Sequence, residues 1–225
     1  MSIETLRDVV AIDGPSGAGK STVARGLARR LGCPYLDTGA MYRAVTWYLL
    51  QRDACDFADG SSVAPLLGAL DIALDAEGRV TVSGRDVSSH LRSHEVERRV
   101  SAVSALSVVR KRMRELQRAM AEHGLLVAEG RDMGSVVFPA ANWKFYLDAA
   151  PSERARRRQA DFLAQGREVS QDDVLEEILV RDRLDSTRPD APLTCAEGAT
   201  RIDTTSMGVD EVIEHLARIV ERERT

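Results

Sequence analysis

Long hydrophobic runs are missing from this chain of 225 residues. Its uncharged apolar stretches fall far short of the roughly 18 residues that span a membrane. The first residues, Met1-Ser2-Ile3-Glu4, show no basic segment followed by an apolar one, so no secretory signal is expected and the cytoplasm is the expected compartment. Cysteine is scarce: Cys33, Cys55 and Cys195 lie far apart with no C-x-x-C pair, which excludes a disulfide scaffold and reads as free thiols in a reducing compartment. Histidine forms no metal-ligand pattern beyond His90 and His94. That i,i+4 pair lacks the glutamate of a zinc-protease helix, so a solvated pair is expected. Aromatics are 4% and the net charge is −4, which count against a single-strand stacking surface and a non-specific nucleic-acid binder. Lysine is nearly absent, with Lys20, Lys111 and Lys144 alone beside many arginines. An arginine cluster therefore says little in this chain, and a lysine at a motif position says more.

What is present reads as an ordinary soluble globular composition, 44% apolar and 29% charged. Continuous apolar runs at 9–12 and 125–128 read as buried strands of a parallel sheet, as do 35–37, 143–147 and 201–203. Helices are expected over 21–31 with Gly32 as its stop, over 39–51, as one long helix over 103–122, after Pro151, and over 174–184 and 209–222. Between them, 71–84 changes character. Ile72 and Leu74, then Val80 and Val82, alternate with polar neighbours around an Ala76-Glu77-Gly78 turn. This reads as a half-exposed hairpin inside an inserted subdomain, 62–93, within a core of 1–61 and 94–225. The alternation of strands and helices makes the fold class α/β with a largely parallel sheet flanked by helices, whose ligands sit at the strands' carboxyl ends. The turns Asp13-Gly14, Asp37-Thr38-Gly39 and Glu129-Gly130-Arg131-Asp132 fall there.

The run Gly14-Pro15-Ser16-Gly17-Ala18-Gly19-Lys20-Ser21 fits G-x-x-x-x-G-K-[ST] in full, after a buried strand and before a helix. Glycines let backbone N–H groups turn inward around phosphate oxygens, and the helix that follows adds its unpaired N–H groups. Lys20 supplies a mobile charge for the β and γ phosphates, and the Ser21 hydroxyl is a ligand for Mg²⁺. The loop implies a P-loop NTPase-type site for a nucleoside triphosphate. A GTPase, a motor and a small-molecule kinase all share it. The lone asparagine, Asn142, is followed by Trp143, so the guanine-reading N-K-x-D motif is lacking.

Further blocks narrow the class. They are Leu36-Asp37-Thr38-Gly39-Ala40-Met41-Tyr42-Arg43, Glu129-Gly130-Arg131-Asp132-Met133-Gly134-Ser135-Val136-Val137-Phe138-Pro139, and Arg181-Asp182 through Asp185 and Arg188 to Pro192-Leu193. With the phosphate loop through Thr22, and in this order, they resemble the bacterial cytidylate kinases of the longer form, nucleoside monophosphate kinases with an inserted subdomain.

The resemblance implies roles for residues. Gly14 to Thr22, with Arg157, would bind ATP. Lys20, Arg131 and Arg188 would be catalytic. Thr38, Arg43, Ser101, Arg110, Arg131, Asp132, Arg181, Asp185 and Arg188 would bind the acceptor, and Ser21 the metal. Arg43 and Arg131 would hold the acceptor phosphate, since a guanidinium pairs two N–H groups with two phosphate oxygens. Ser101, Arg110 and Asp132 would read cytosine: a carboxylate accepts from the N4 amino group, and serine and arginine donate to N3 and O2. Nine residues separate Ser101 from Arg110, which puts them on opposite faces of one straight helix. They meet one ligand only if Ser101 precedes the helix or the helix bends, and a simple helix N-cap is the other reading of Ser101. Arg181, Asp185 and Arg188 fall on one helix face, which a surface ion-pair ladder also explains. The segment 154–167, with Arg154, Arg157 and Arg158, resembles the family's helical lid. In Arg181-Asp182-Arg183-Leu184-Asp185 the middle arginine stands one place earlier than in some relatives, which leaves open which arginine reaches the transferred group.

The reaction so implied is phosphoryl transfer from ATP, with Mg²⁺, to CMP or dCMP by a cytoplasmic monomer that binds neither nucleic acid nor membrane. A P-loop kinase for another small acceptor is one alternative. A nucleotide-gated module that acts through a partner is the other, and no leftover apolar stripe is evident to serve it.

Overall fold

The computed structural model describes residues 6–52, 60–75, 78–164 and 166–224. They fall into two compact units, Met1–Tyr35 with Gly124–Thr225, and Leu36–His123. The second is wider than the hairpin segment 62–93 and contains it.

The first unit is built on β1 (Val9–Asp13), α1 (Lys20–Leu31), β6 (Leu126–Glu129), β7 (Trp143–Asp148), α6 (Pro151–Ala164), α7 (Gln171–Thr187), β8 (Thr200–Asp203) and α8 (Val209–Arg224). The short β2 (Tyr35–Asp37) begins in this unit. The sheet has the order β2-β6-β1-β7-β8. β1 pairs in parallel with both β6 and β7, and β7 with β8. All residues of β1 and β6 are buried, as a central parallel strand requires. The expected strands are thus present within a residue or two of their expected ends.

α1 lies between two glycines in the left-handed region, Gly19 (φ 84°) and Gly32 (φ 65°), and the Gly32 N–H closes the last turn on the carbonyls of Ala28 and Arg29. Its buried face, Val23, Ala24, Leu27 and Ala28, packs with Val212, Leu216, Ala217 and Val220 of α8 and with Ile12, Phe145 and Leu147 of the sheet. The two helices come close at Gly26, where a Cβ would stand 2.3 Å from Ile213 Cδ1. Glycine there serves packing rather than backbone freedom. α6 and α7 share a small core of their own, Ala155, Phe162, Val174 and Ile178.

The second unit holds α2 (Thr38–Leu50), α3 (Gly60–Leu67), the antiparallel strands β3 (Ile72–Leu74), β4 (Val80–Val82) and β5 (Arg85–Asp86), α4 (His94–Ala105) and α5 (Ser107–Met120). Ile72, Val80 and Val82 are buried and Ala73 is exposed, the alternation of a one-sided sheet. Residues 76 and 77 of the expected turn lie outside the described residues; Gly78 has φ 83°. The one long helix expected over 103–122 is not formed. Leu106, at ψ 121°, leaves the helical region and separates α4 from α5. His90 and His94 are both exposed, as a solvated pair would be, and His90 also stacks on Trp47 with ring centroids 5.9 Å apart. Among the described residues, no helix is long and apolar enough to cross a membrane.

Candidate active site

The phosphate loop leaves β1 at Gly14, whose φ of 148° and contact with β7 both demand glycine: a Cβ would stand 2.0 Å from the Leu147 carbonyl oxygen. Asp13, just before it, is buried. Its two carboxylate oxygens accept the N–H groups of Met133 and Gly134, each at 2.8 Å. The end of β1 is thereby tied to the π-helical turn Met133–Val137 that follows β6. Burial pushes the Asp13 carboxyl up to about 7, against the pull of these two donors and of Lys20. A native pKa above the unfolded 3.8 means that folding binds a proton between those values. Stability from this group therefore falls as pH rises from about 4 to about 7. Asp13→Asn should remove that slope and cost roughly 1–3 kcal/mol, because an amide NH₂ must face one of the two N–H donors. Urea unfolding at several pH values checks both.

Lys20 is 5% exposed and donates to the Pro15 carbonyl at 2.7 Å. Burial, then the positive field of Arg131, pull its ammonium down to about 7, and Glu129 and Asp13 only partly offset this. The Ser21 hydroxyl donates to Glu129 Oε1 at 2.5 Å, and the Tyr35 hydroxyl to the same oxygen at 3.2 Å. A serine hydroxyl beside a carboxylate is a hard oxygen donor set of the kind Mg²⁺ takes. Among the described residues there is no group of three or more His, Cys, Asp or Glu able to hold a metal alone. Ser21 and Glu129 fit an ion held by one or two protein oxygens together with phosphate and water oxygens.

The arginine cluster lies beyond β6 and on α7. Arg131 Nε donates to Asp185 Oδ2 at 2.9 Å. Arg188 stands just past the end of α7, with Nη1 3.6 Å from Asp185 Oδ1 and Nη2 3.7 Å from Asp132 Oδ1. Its Nε donates to the Ala191 carbonyl at 2.6 Å. Burial pushes the Asp185 carboxyl up, but Arg131, Arg181 and Arg188 more than reverse this and hold it below its ordinary range. These are partly buried ion pairs, unlike the exposed ladder that spacing alone also allowed.

The other expected residues sit as follows. Arg154, read as part of a lid, is buried and donates to the carbonyls of Ala149 and Ser16 and to Asp182. Arg157 donates to Glu153 and to the hydroxyl and carbonyl of Thr204. The Arg158 guanidinium lies 4.7 Å from the centre of the Phe162 ring. In the second unit, Thr38 is buried at the start of α2, and Arg43 is half-buried on the same helix. Ser101 is no N-cap: Ser93 caps α4, and Ser101 lies inside that helix. Leu106 breaks the chain between α4 and α5, so Ser101 and Arg110 do not lie on one straight helix. Arg110, 1% exposed on α5, donates to the Ser104 carbonyl at 3.3 Å, and its guanidinium is 5.6 Å from the Tyr42 ring centre.

Sequence reasoning assigned nothing to Asp13, Glu129 or Asp182. The signal for the first two was an acidic residue at the end of a buried strand. For Asp182 there was its place in the Arg181-Asp182 block of a charged helix, with no role attached to it.

A glycine-lined loop between a central parallel strand and a helix, with a buried lysine, defines a protein of the P-loop class. A family model described as cytidylate kinase matches residues 10–222. The chain is 47% identical over 216 residues to the cytidylate kinase of Carboxydothermus hydrogenoformans, covering 95% of this chain and 97% of that protein. It is 50% identical over 225 residues to the bifunctional pantoate ligase/cytidylate kinase of Synechococcus sp. (strain CC9902), covering 98% of this chain. The chain spans 46% of the length of that bifunctional relative. Among solved structures, that of TT1252 from Thermus thermophilus aligns over 96% of this chain and 97% of its own, at 21% identity and a TM-score of 0.49. The chain belongs to the cytidylate kinase family.

Proposed function

We propose that this protein transfers the γ-phosphate of ATP to CMP or dCMP, giving ADP and CDP or dCDP. The observation that carries the reading is the buried Lys20 of the phosphate loop within the positive field of Arg131 and Arg181, in a chain that matches this family over nearly its whole length.

Gly14 to Thr22 hold the donor phosphates through backbone N–H groups, and Arg157 adds a cation on the donor side. Lys20 draws charge from the phosphates as it moves from donor to acceptor. Ser21, oriented by Glu129, would hold Mg²⁺, which would supply charge neutralisation at the donor phosphates. Arg43 and Arg131 hold the acceptor phosphate, and Arg131 and Arg188 also stabilise the transferred group. Arg181 and Arg188 join Asp185 on the acceptor's sugar and phosphate, and Thr38 binds the acceptor. Asp132, Arg110 and Ser101 read the base, and 62–93 belongs to the acceptor side. A monophosphate oxygen is already ionised near neutral pH, so no side chain needs to take a proton. The protein's contribution is alignment and fixed charge. We also propose that it works as a monomer in the cytoplasm, in keeping with the free thiols of Cys33 and Cys195.

ADP release with Mg²⁺-ATP and, in turn, CMP, dCMP, UMP, AMP and no acceptor tests this. CMP and dCMP should exceed UMP by at least about 100-fold, since uracil carries an acceptor where Asp132 requires a donor. ADP formation indifferent to the acceptor would overturn the reading.

A further inference from the structure

Asp182 takes no part in the scheme above, yet its carboxylate touches the backbone of the phosphate loop. Its Oδ1 accepts the Ser16 N–H at 3.0 Å, and its Oδ2 accepts from Arg154 Nη1 at 2.5 Å. The same Arg154 nitrogen donates to the Ser16 carbonyl at 2.8 Å, while Arg154 Nε donates to the Ala149 carbonyl at 3.0 Å. Both backbone polar groups of Ser16 are therefore held by one ion pair. That pair is itself well shielded, with side chains 5% and 18% exposed. The small core of Ala155, Phe162, Val174 and Ile178 fixes its two helices against each other.

We propose that Asp182 is a positioning residue: through Ser16 it holds the phosphate loop in the shape that receives a triphosphate, with Arg154 as its anchored counterpart. A loop with glycines at 14, 17 and 19 has much backbone freedom to lose on binding a ligand. Holding Ser16 from both sides removes part of that cost before the ligand arrives. Asp182 also follows Arg181 directly and precedes Asp185 by one helical turn. One helix thus carries both the contact to the loop and the charges proposed for the acceptor. The inference rests on the proposed reaction only where turnover is measured.

The competing explanation is that the ion pair merely staples α6 to α7. Two substitutions separate these. Asp182→Asn keeps an oxygen for the Ser16 N–H but loses the charge. Asp182→Glu keeps the charge but displaces the carboxylate by one methylene. Binding of a non-hydrolysable ATP analogue with Mg²⁺ is measured by titration calorimetry, beside thermal unfolding. Asp182→Ala and Asp182→Glu should weaken binding about tenfold, and Asp182→Asn should stay within about threefold of the parent. Stability should rank differently, with Glu above Asn. In turnover with CMP, the KM for ATP should rise by more than kcat falls. Parental binding by Asp182→Ala would overturn the proposal. So would binding that follows the stability order, with Glu near the parent and Asn well below it. If Asp182→Ala does not fold, the comparison of Asn with Glu decides. A parent that binds the analogue but does not phosphorylate CMP would overturn the proposed reaction and leave this comparison intact.

Discussion

Lys20→Met should lower kcat for CMP-dependent ADP formation by about 10²–10³-fold, with a thermal midpoint no lower than the parent's. The two halves of this expectation have one cause. The Lys20 ammonium is buried, and burial together with Arg131 pulls its pKa down to about 7 despite the carboxylates of Glu129 and Asp13. In the absence of nucleotide the charge is an expense to the fold, so a methionine of similar length relieves it, offset by loss of the bond to the Pro15 carbonyl. With a triphosphate present, the same desolvated charge acts in a low-dielectric setting where each opposite charge counts for more than in water. Activity and stability should therefore move apart. A steady-state assay and a melting curve on one preparation check it. A melting point that falls together with kcat would mean that the lysine is a structural strut.

Arg131→Ala should lower kcat/KM for CMP by about 10³-fold, and Arg131→Lys should restore little of it. A guanidinium presents a planar pair of donors to two phosphate oxygens, and a lysine ammonium is a single point charge. Burial works against the Arg131 charge, but Asp185 first, then Glu129, outweigh it and keep the group protonated. Asp185 loses its 2.9 Å partner in the alanine variant, though Arg188 remains 3.6 Å away. A loss of about 1–2 kcal/mol follows, roughly 2–8 °C in Tm for a chain of this size. The pH response carries a definite sign. Asp185 is held below the unfolded 3.8, so its contribution is complete above that value and is lost as pH falls toward the native one. Without Arg131 the native pKa rises toward 3.8, that contribution shrinks, and acid unfolding begins at a higher pH. Acid titration followed by circular dichroism, beside kinetics at neutral pH, separates the site effect from the stability effect.

Sequence reading succeeded where a constraint is local. A strand that must be buried on both sides is apolar throughout, so 9–12 and 125–128 could be placed to within a residue of Val9–Asp13 and Leu126–Glu129. A loop that must turn N–H groups inward needs glycines at set intervals, which made Gly14 to Ser21 legible. It failed where the deciding contact is distant in the chain. The break at Leu106 carries no glycine or proline, and helical periodicity ran through it. Arg154 looked like any of its neighbouring arginines until Ser16, 138 residues away, appeared beside it.

By itself, the amino-acid sequence determined the phosphate loop, the parallel α/β plan and the identity of Lys20 and Ser21, because each depends on spacing along a few residues. Tertiary structure alone decided that Asp13 ties β1 to the turn after β6. It also decided that Glu129 faces Ser21, and that Asp182 and Arg154 hold Ser16 from both sides. A charged side chain's role depends on what lies within about 4 Å of it and on how little water remains there. Neither quantity is written in the order of the residues.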